Sequence, residues 1–166
     1  MSAPHSPASE SYVVRDAAGD DDMRAVRRLI LAHADARGDT PGVEQIRADA
    51  ARLPGPYVPP RGGLWIAVAD TERIGCIALQ PLPGGVGEVK RMFVDAEWRG
   101  RGVGRALLER LIEGARTRGY REIRLGTLPE MTEAQALYRS VGFVPIEAYR
   151  ASEIGHPLFF ALDLGE

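Results

Sequence analysis

Lysine is almost missing from this chain. Of its 21 basic residues only Lys90 is a lysine, and the rest are arginine. Biased codon usage accounts for that skew, so an arginine here is no signal by itself. Cysteine is equally scarce. The single Cys76 excludes an internal disulfide framework and suits a reducing compartment. It lies in the apolar run RIGCIALQPL and reads as a buried bystander. His5, His33 and His156 are scattered, with no metal-ligand spacing, so no metal is expected. No apolar run approaches the ~20 residues that span a membrane. The opening MSAPHSPASES lacks the basic and apolar regions of a signal peptide. A cytoplasmic protein without a membrane partner is therefore expected. The formal net charge of −2 argues against broad nucleic-acid binding.

The 166 residues are enough for one domain. Residues 1–10 read as a disordered N-terminal arm and 11–166 as a single domain. Tyr12–Arg15 reads as a first strand. Asp20–Asp22 offer an N-cap and an acidic first turn. Met23, Val26, Ile30 and Ala34 then recur at helical spacing, as do Val43, Ile46, Ala50 and Leu53. Pro54–Gly63 is a Pro/Gly-rich loop. Leu64–Asp70, Arg73–Leu82 and Glu88–Asp95 read as a three-stranded meander. Arg121–Thr127, Phe143–Ile146 and Leu158–Leu164 complete the strands, and Thr132–Val141 is a short helix. A strand, a helix and a returning strand around residue 105 place Glu88–Asp95 parallel to Arg121–Thr127.

The most informative segment is the turn Arg99–Gly104, RGRGVG, between a strand and a helix. Gly100, Gly102 and Gly104 let the backbone bend tightly and approach an anion with no Cβ in the way. The helix starting at Val103 points unpaired N–H groups and a partial positive charge back at the bend. Arg99, Arg101 and Arg105 add full charges. A Walker loop is excluded, because Gly104 is followed by Arg105 and Ala106 rather than Lys and Ser or Thr. The dinucleotide fingerprint GxGxxG is excluded by the GxGxG spacing. An ordinary strand-to-helix loop in an Arg-rich chain is the remaining alternative.

The pattern Arg-x-x-Gly-x-Gly at 99–104 follows a strand and precedes a helix. ALYRSVGF, Ala136–Phe143, follows some way downstream. Together they resemble the GCN5-related N-acetyltransferase superfamily, with the close match running from Glu88 to about Ile146. The resemblance implies an α/β fold. Its mixed, mostly antiparallel twisted sheet has about six to seven strands, flanked by about four helices, with a central splayed parallel pair. It also implies acetyl-coenzyme A as cosubstrate, with its pantetheine arm along Met92, Phe93 and Val94. Its diphosphate would lie on Arg99, Gly100, Arg101, Gly102, Val103, Gly104 and Arg105. Many members carry an Asn seven residues before the Tyr of the later motif. Met131 stands there, so no Asn role carries over.

Amide formation from a thioester needs a neutral amine, a home for the oxyanion and a proton for the leaving thiolate. The resemblance makes Tyr138 the general acid and gives the oxyanion the backbone N–H of Met92 or Phe93. It makes Glu88, read as the first residue of its strand, the base, often working through a water, and an ionised Glu88 equally suits an electrostatic anchor for an ammonium substrate. Strand alternation would put Glu88, Lys90 and Met92 on one face and Val89, Arg91 and Phe93 on the other. Lys90 and Arg91 would keep Glu88 ionised. Glu130, Glu133, Glu147 and His156 are further candidates for the base. The acceptor pocket would be built by 33–61 and 148–157, which carry Arg37, Arg52, Tyr57, Arg61, Tyr149, Arg150 and His156. Converging arginines there hint at an acid-bearing small-molecule amine. A protein amine is the alternative acceptor, and a non-catalytic acyl-coenzyme A binding module the alternative function. The edge strands of such a sheet are compatible with a homodimer.

Overall fold

A computed structural model describes residues 11–152 and 157–165. The expected arm over 1–10 and the candidate His156 lie outside the described residues. In chain order the elements are β1 (Val13–Asp16), α1 (Gly19–Arg37), α2 (Val43–Ala51), β2 (Gly63–Ala69), β3 (Glu72–Leu82) and β4 (Val86–Val94). A 3₁₀ turn (Ala96–Trp98) then leads to α3 (Val103–Thr117), β5 (Glu122–Thr127), α4 (Thr132–Val141), β6 (Val144–Ile146) and β7 (Leu158–Asp163).

The seven strands form one sheet in the order β1-β2-β3-β4-β5-β7-β6. Every pair is antiparallel except β4 with β5. The expected mixed sheet, its four α-helices and its one parallel pair are all present. Side chains alternate across β2: Trp65, Ala67 and Ala69 pack under α3, while Leu64 and Ile66 pack under α1 and α2. The sheet is thus covered on both faces. One core is built on Leu107, Leu108 and Leu111 of α3, the other on Val26, Leu29 and Ile30 of α1.

The start of α1 differs from the expected cap. The helix begins at Gly19, and no side chain caps its N-terminal residue Ala18. Asp22 reaches back instead: its Oδ2 accepts the Ala18 N–H at 2.8 Å, one residue further along the helix than the N3 side chain of a capping box. The same buried carboxylate binds Arg15 at 2.6 Å and Arg73 at 2.8 Å. Local spacing showed an acidic first turn. It did not show that one of those acids ties β1 and β3 to the helix.

Strand β4 departs from plain alternation. Opposite β3, Cys76 pairs with Phe93 but Ala78 pairs with Lys90, so Arg91 and Met92 together face Ile77. This is a β-bulge, and Arg91 takes φ +54° within it. Left-handed backbone at a non-glycine residue is uncommon, and a bulge redirects the side chains beyond it. The expected faces are therefore corrected. Met92 packs with Val89 in the α3 core, whereas Phe93 packs in the α1–α2 core, where Arg91 also reaches α2 through Asp49.

Candidate functional site

Strands β4 and β5 pair only over Val86–Glu88 with Glu122–Arg124. Beyond Glu88 they separate. The β5-facing edge of β4 from Val89 to Val94 is then a strand edge with no strand beside it. Met92, Phe93 and Val94 lie there, half-buried. An extended, amide-rich arm can add to such an edge as a strand would.

The edge leads into the glycine turn. Gly100 (φ +75°) and Gly102 (φ +84°) both occupy left-handed backbone, which only glycine adopts without strain. Gly104 does not. It lies inside α3, and a Cβ there would meet Leu137 at an ordinary 3.5 Å. Gly102 is the N-cap of α3 and no side chain caps it, so the first-turn N–H groups remain for an anion. Val103 turns its side chain into the core and leaves its backbone at the bend. Arg99 donates from Nε to the Val94 carbonyl at 3.2 Å. Arg101 stacks over Trp98 at 4.9 Å. Arg105 reaches Ser140 of α4 at 2.5 Å. The free strand edge, the uncapped helix start and the exposed arginines suit the arm and diphosphate of coenzyme A.

The gap between the strands is a cavity of about 190 Å³. Val89–Phe93 line one wall and Leu125–Leu128 the other. Tyr138 and Ala134 belong to α4 and Met131 is its N-cap; His33, Arg37 and Ile46 come from α1 and α2; Arg150, Ser152 and Pro157 come from the segment before β7. Of the residues expected to form the acceptor pocket, this includes Arg37 and Arg150 but not Arg52, Tyr57, Arg61 or Tyr149.

Tyr138 is buried against Phe143 and Phe160, at ring separations of 5.8 and 6.3 Å. Burial pushes its hydroxyl up to about 12, so the phenol stays protonated at neutral pH. Met131, at the start of α4, lies beside it in the lining, with its sulfur 3.6 Å from the Thr127 hydroxyl.

Glu88 is placed differently from expectation. It is the third residue of β4, not its first, and its side chain is 2% exposed. Oε1 accepts from Gln80 at 2.6 Å; Oε2 accepts from Tyr149 at 2.5 Å and from Arg150 at 3.0 Å. Lys90 stands 3.9 Å away. Burial alone would raise the carboxyl, but the Tyr149 hydroxyl, the charges of Lys90 and Arg150, and Gln80 outweigh it and hold it below the usual range. The carboxylate is held ionised by Lys90, as expected, and by Tyr149 and Arg150, whereas Arg91, the other expected neighbour, binds Asp49; Glu88 does not line the cavity.

Several lining residues escaped sequence reading. His33 stacks on Phe93, with centroids 4.2 Å apart. Burial, then the charges of Arg37, Arg91 and Arg99, bring its imidazole down to about 4. Lys90 is likewise lowered, by burial first and then by Arg91 and Arg150, against the pull of Glu88. Arg91 binds Asp49 of α2 at 2.7 Å. His33 extends the buried stripe of α1 by helical spacing, as does Arg37, which was already expected in the acceptor pocket. Arg91 depends on the bulge and had no signal. Cys76 is fully buried, and burial pushes its thiol up to about 12, so it is inert.

Comparison with known proteins follows this geometry. The model of the GNAT acetyltransferase family matches residues 29–143. An N-acetylaspartate synthetase from Danio rerio is 33% identical over 119 residues, which cover 70% of this chain and 39% of that protein. The chain thus spans about two-fifths of that relative's length. An uncharacterized N-acetyltransferase from Schizosaccharomyces pombe is 32% identical over 112 residues, 66% of this chain and 69% of the relative. Among solved structures, a GCN5-related N-acetyltransferase from Kribbella flavida superposes with a TM-score of 0.71 at 27% identity. It covers 94% of this chain and 99% of its own. A GNAT-family acetyltransferase from Staphylococcus aureus has the same fold, with a TM-score of 0.78 at 22% identity over 93% of this chain and 99% of its own.

Proposed function

This chain belongs to the GNAT acetyltransferase family, and we propose that it moves an acetyl group from acetyl-coenzyme A to the primary amine of a small, acid-bearing acceptor. The cavity carries this reading. Among the described residues its lining holds Arg37, Lys90, Arg91 and Arg150, and no Asp or Glu. A cationic lining disfavours a polyamine and favours an amine that brings its own carboxylate. A volume of about 190 Å³ lies below the few hundred Å³ of a drug-sized site. The zebrafish relative's name, an N-acetylaspartate synthetase, points to the same acceptor class.

When bound, acetyl-coenzyme A supplies a thioester carbonyl as the electrophile. The chain's residues do the rest. The β4 edge at Met92, Phe93 and Val94 takes the arm, the Arg99–Arg105 turn takes the diphosphate, and a backbone N–H of Met92 or Phe93 faces the developing oxyanion. Tyr138, protonated at neutral pH, gives its proton to the departing thiolate and is reprotonated by the proton the acceptor nitrogen gives up as the C–N bond forms and the C–S bond breaks. The acceptor must shed a proton, and its surroundings help. Neighbouring cations that lower His33 and Lys90 also disfavour an ammonium in the same cavity. Solvent water can take that proton. Glu88 then serves as a fixed anion behind the wall and not as a direct base.

The test is free thiol release from acetyl-coenzyme A with acidic amino acids, neutral amino acids, polyamines, aminoglycosides and short peptides. Acidic amino acids should exceed background hydrolysis by the widest margin. Preference for polyamines or peptides would overturn the acceptor class. No turnover alongside tight acetyl-coenzyme A binding would favour a binding module.

A further inference from the structure

Two buried carboxylates behind the cavity are wired in the same way. Asp49 Oδ2 accepts the Tyr57 hydroxyl at 2.7 Å and Arg91 Nε at 2.7 Å. Glu88 Oε2 accepts the Tyr149 hydroxyl at 2.5 Å and Arg150 Nε at 3.0 Å. Each unit is a carboxylate, a tyrosine and an arginine, and in each the arginine lines the cavity while the carboxylate does not. The two units come from different parts of the fold. Asp49 and Tyr57 lie on α2 and the loop after it, and present Arg91 at the β4 bulge. Glu88 on β4 holds Tyr149 and Arg150 of the segment before β7, and brings an Arg150 terminal nitrogen against Gly126 of β5. The two guanidiniums therefore stand on the two walls of the gap.

A guanidinium held by Nε keeps terminal N–H donors, arranged as a fork that fits a carboxylate. Rigid anchoring lowers the entropy lost on binding. Four lining cations against these two carboxylates also leave positive charge to be neutralised. Asp22 is the contrast. It too is buried and binds two arginines, Arg15 and Arg73. It has no tyrosine hydroxyl on it, and neither arginine lines the cavity, so it serves the fold alone.

We infer that Arg91 and Arg150 form a two-pronged clamp for an acceptor amine carrying two acidic groups, with Asp49–Tyr57 and Glu88–Tyr149 as the positioning pairs that hold the prongs. This deepens the acceptor class proposed above and rests on that reading. It also gives Glu88 a role that a base assignment does not: its loss disturbs acceptor binding through Arg150.

Calorimetry on the protein saturated with coenzyme A tests the clamp without requiring turnover. The probes are L-aspartate and L-glutamate beside L-asparagine and L-glutamine. The dicarboxylates should bind at least about 10-fold tighter than their amides. Arg150→Met and Arg91→Met should each weaken dicarboxylate binding on the order of 100-fold and abolish the preference, with coenzyme A affinity within about 3-fold. Glu88→Gln should weaken it by about 10-fold, and Arg150→Lys, which keeps the charge but not the fork, should fall between wild type and Arg150→Met. Coenzyme A affinity reports whether each variant is folded, and the wild-type comparison stands even if a variant is not. Equal binding of acids and amides, no binding of any probe, or an intact preference in both arginine variants overturns the clamp. Dicarboxylates that bind with the predicted pattern but are never acetylated would leave the clamp standing and overturn the proposed reaction.

Discussion

The two halves of the site are built from different materials. The proposed coenzyme A side is backbone: a strand edge from Val89 to Val94 and a helix start freed by Gly100 and Gly102. Its side chains are peripheral, with Arg99, Arg101 and Arg105 all exposed. The proposed acceptor side consists of side chains brought together from α1, α2, β4, α4 and the segment before β7, and two of them are held from behind by buried carboxylates. A backbone site is damaged by adding atoms. A side-chain site is damaged by removing them.

The largest effect should come from removing the Tyr138 hydroxyl. Tyr138→Phe should lower kcat about 10²–10⁴-fold, while calorimetric affinity for acetyl-coenzyme A stays within about 3-fold. An unchanged rate would remove Tyr138 from the chemistry. Next comes an addition on the backbone side. Gly102→Glu forces a side chain into φ +84° and sets a negative charge at the helix start. Acetyl-coenzyme A affinity should fall by at least about 100-fold, and retained affinity would mean that the diphosphate lies elsewhere. Gly104→Ala sharpens the point. Its site is sterically open and helical, so thermal stability should rise by about 0.5–1 kcal/mol. Any accompanying loss of affinity would report direct approach of the ligand to that backbone.

A smaller effect is expected from pH. His33 is held near 4, against 6.5 for an ordinary imidazole. As pH falls below 6.5, the unfolded chain takes up a proton that the folded chain refuses. Stability linked to this ring is full above pH 6.5 and is lost as pH drops toward 4. Allowing for solvent screening of this half-buried ring, the loss is on the order of 1–2 kcal/mol. His33→Leu should flatten urea-measured stability across that range, and an unchanged slope would mean that the ring is not the group responsible. Smallest of all, Arg101→Ala on the exposed cofactor side should weaken acetyl-coenzyme A by less than about 5-fold at physiological salt. A much larger loss would mean that the side chain, and not the backbone, carries the diphosphate.

Legibility followed the same division. A turn that requires glycine at 100 and 102 leaves its requirement written in adjacent positions, so RGRGVG could be read directly. The strands and helices around it were marked by periodicity and breakers, and Thr132–Val141 was placed as observed. Glu88 was misplaced for a physical reason. Its position on β4 was legible, but burial by Gln80, Tyr149 and Arg150 depends on partners up to 62 residues away in sequence. The faces of Met92 and Arg91 were misread because a bulge adds one residue to a two-residue period, and nothing in the local spacing marks it.

The order of elements, the glycine turn and the place of Tyr138 beyond it were determined by the sequence alone, because each rests on contacts or conformations within a few residues. The splay of β4 from β5 was implied by the family resemblance; tertiary structure alone decided that it begins after Glu88, and that Asp49 and Glu88 stand behind two arginines. Those arrangements depend on which distant segments share a wall, and the hydrophobic burial that brings segments together fixes their meeting place without encoding it in either segment.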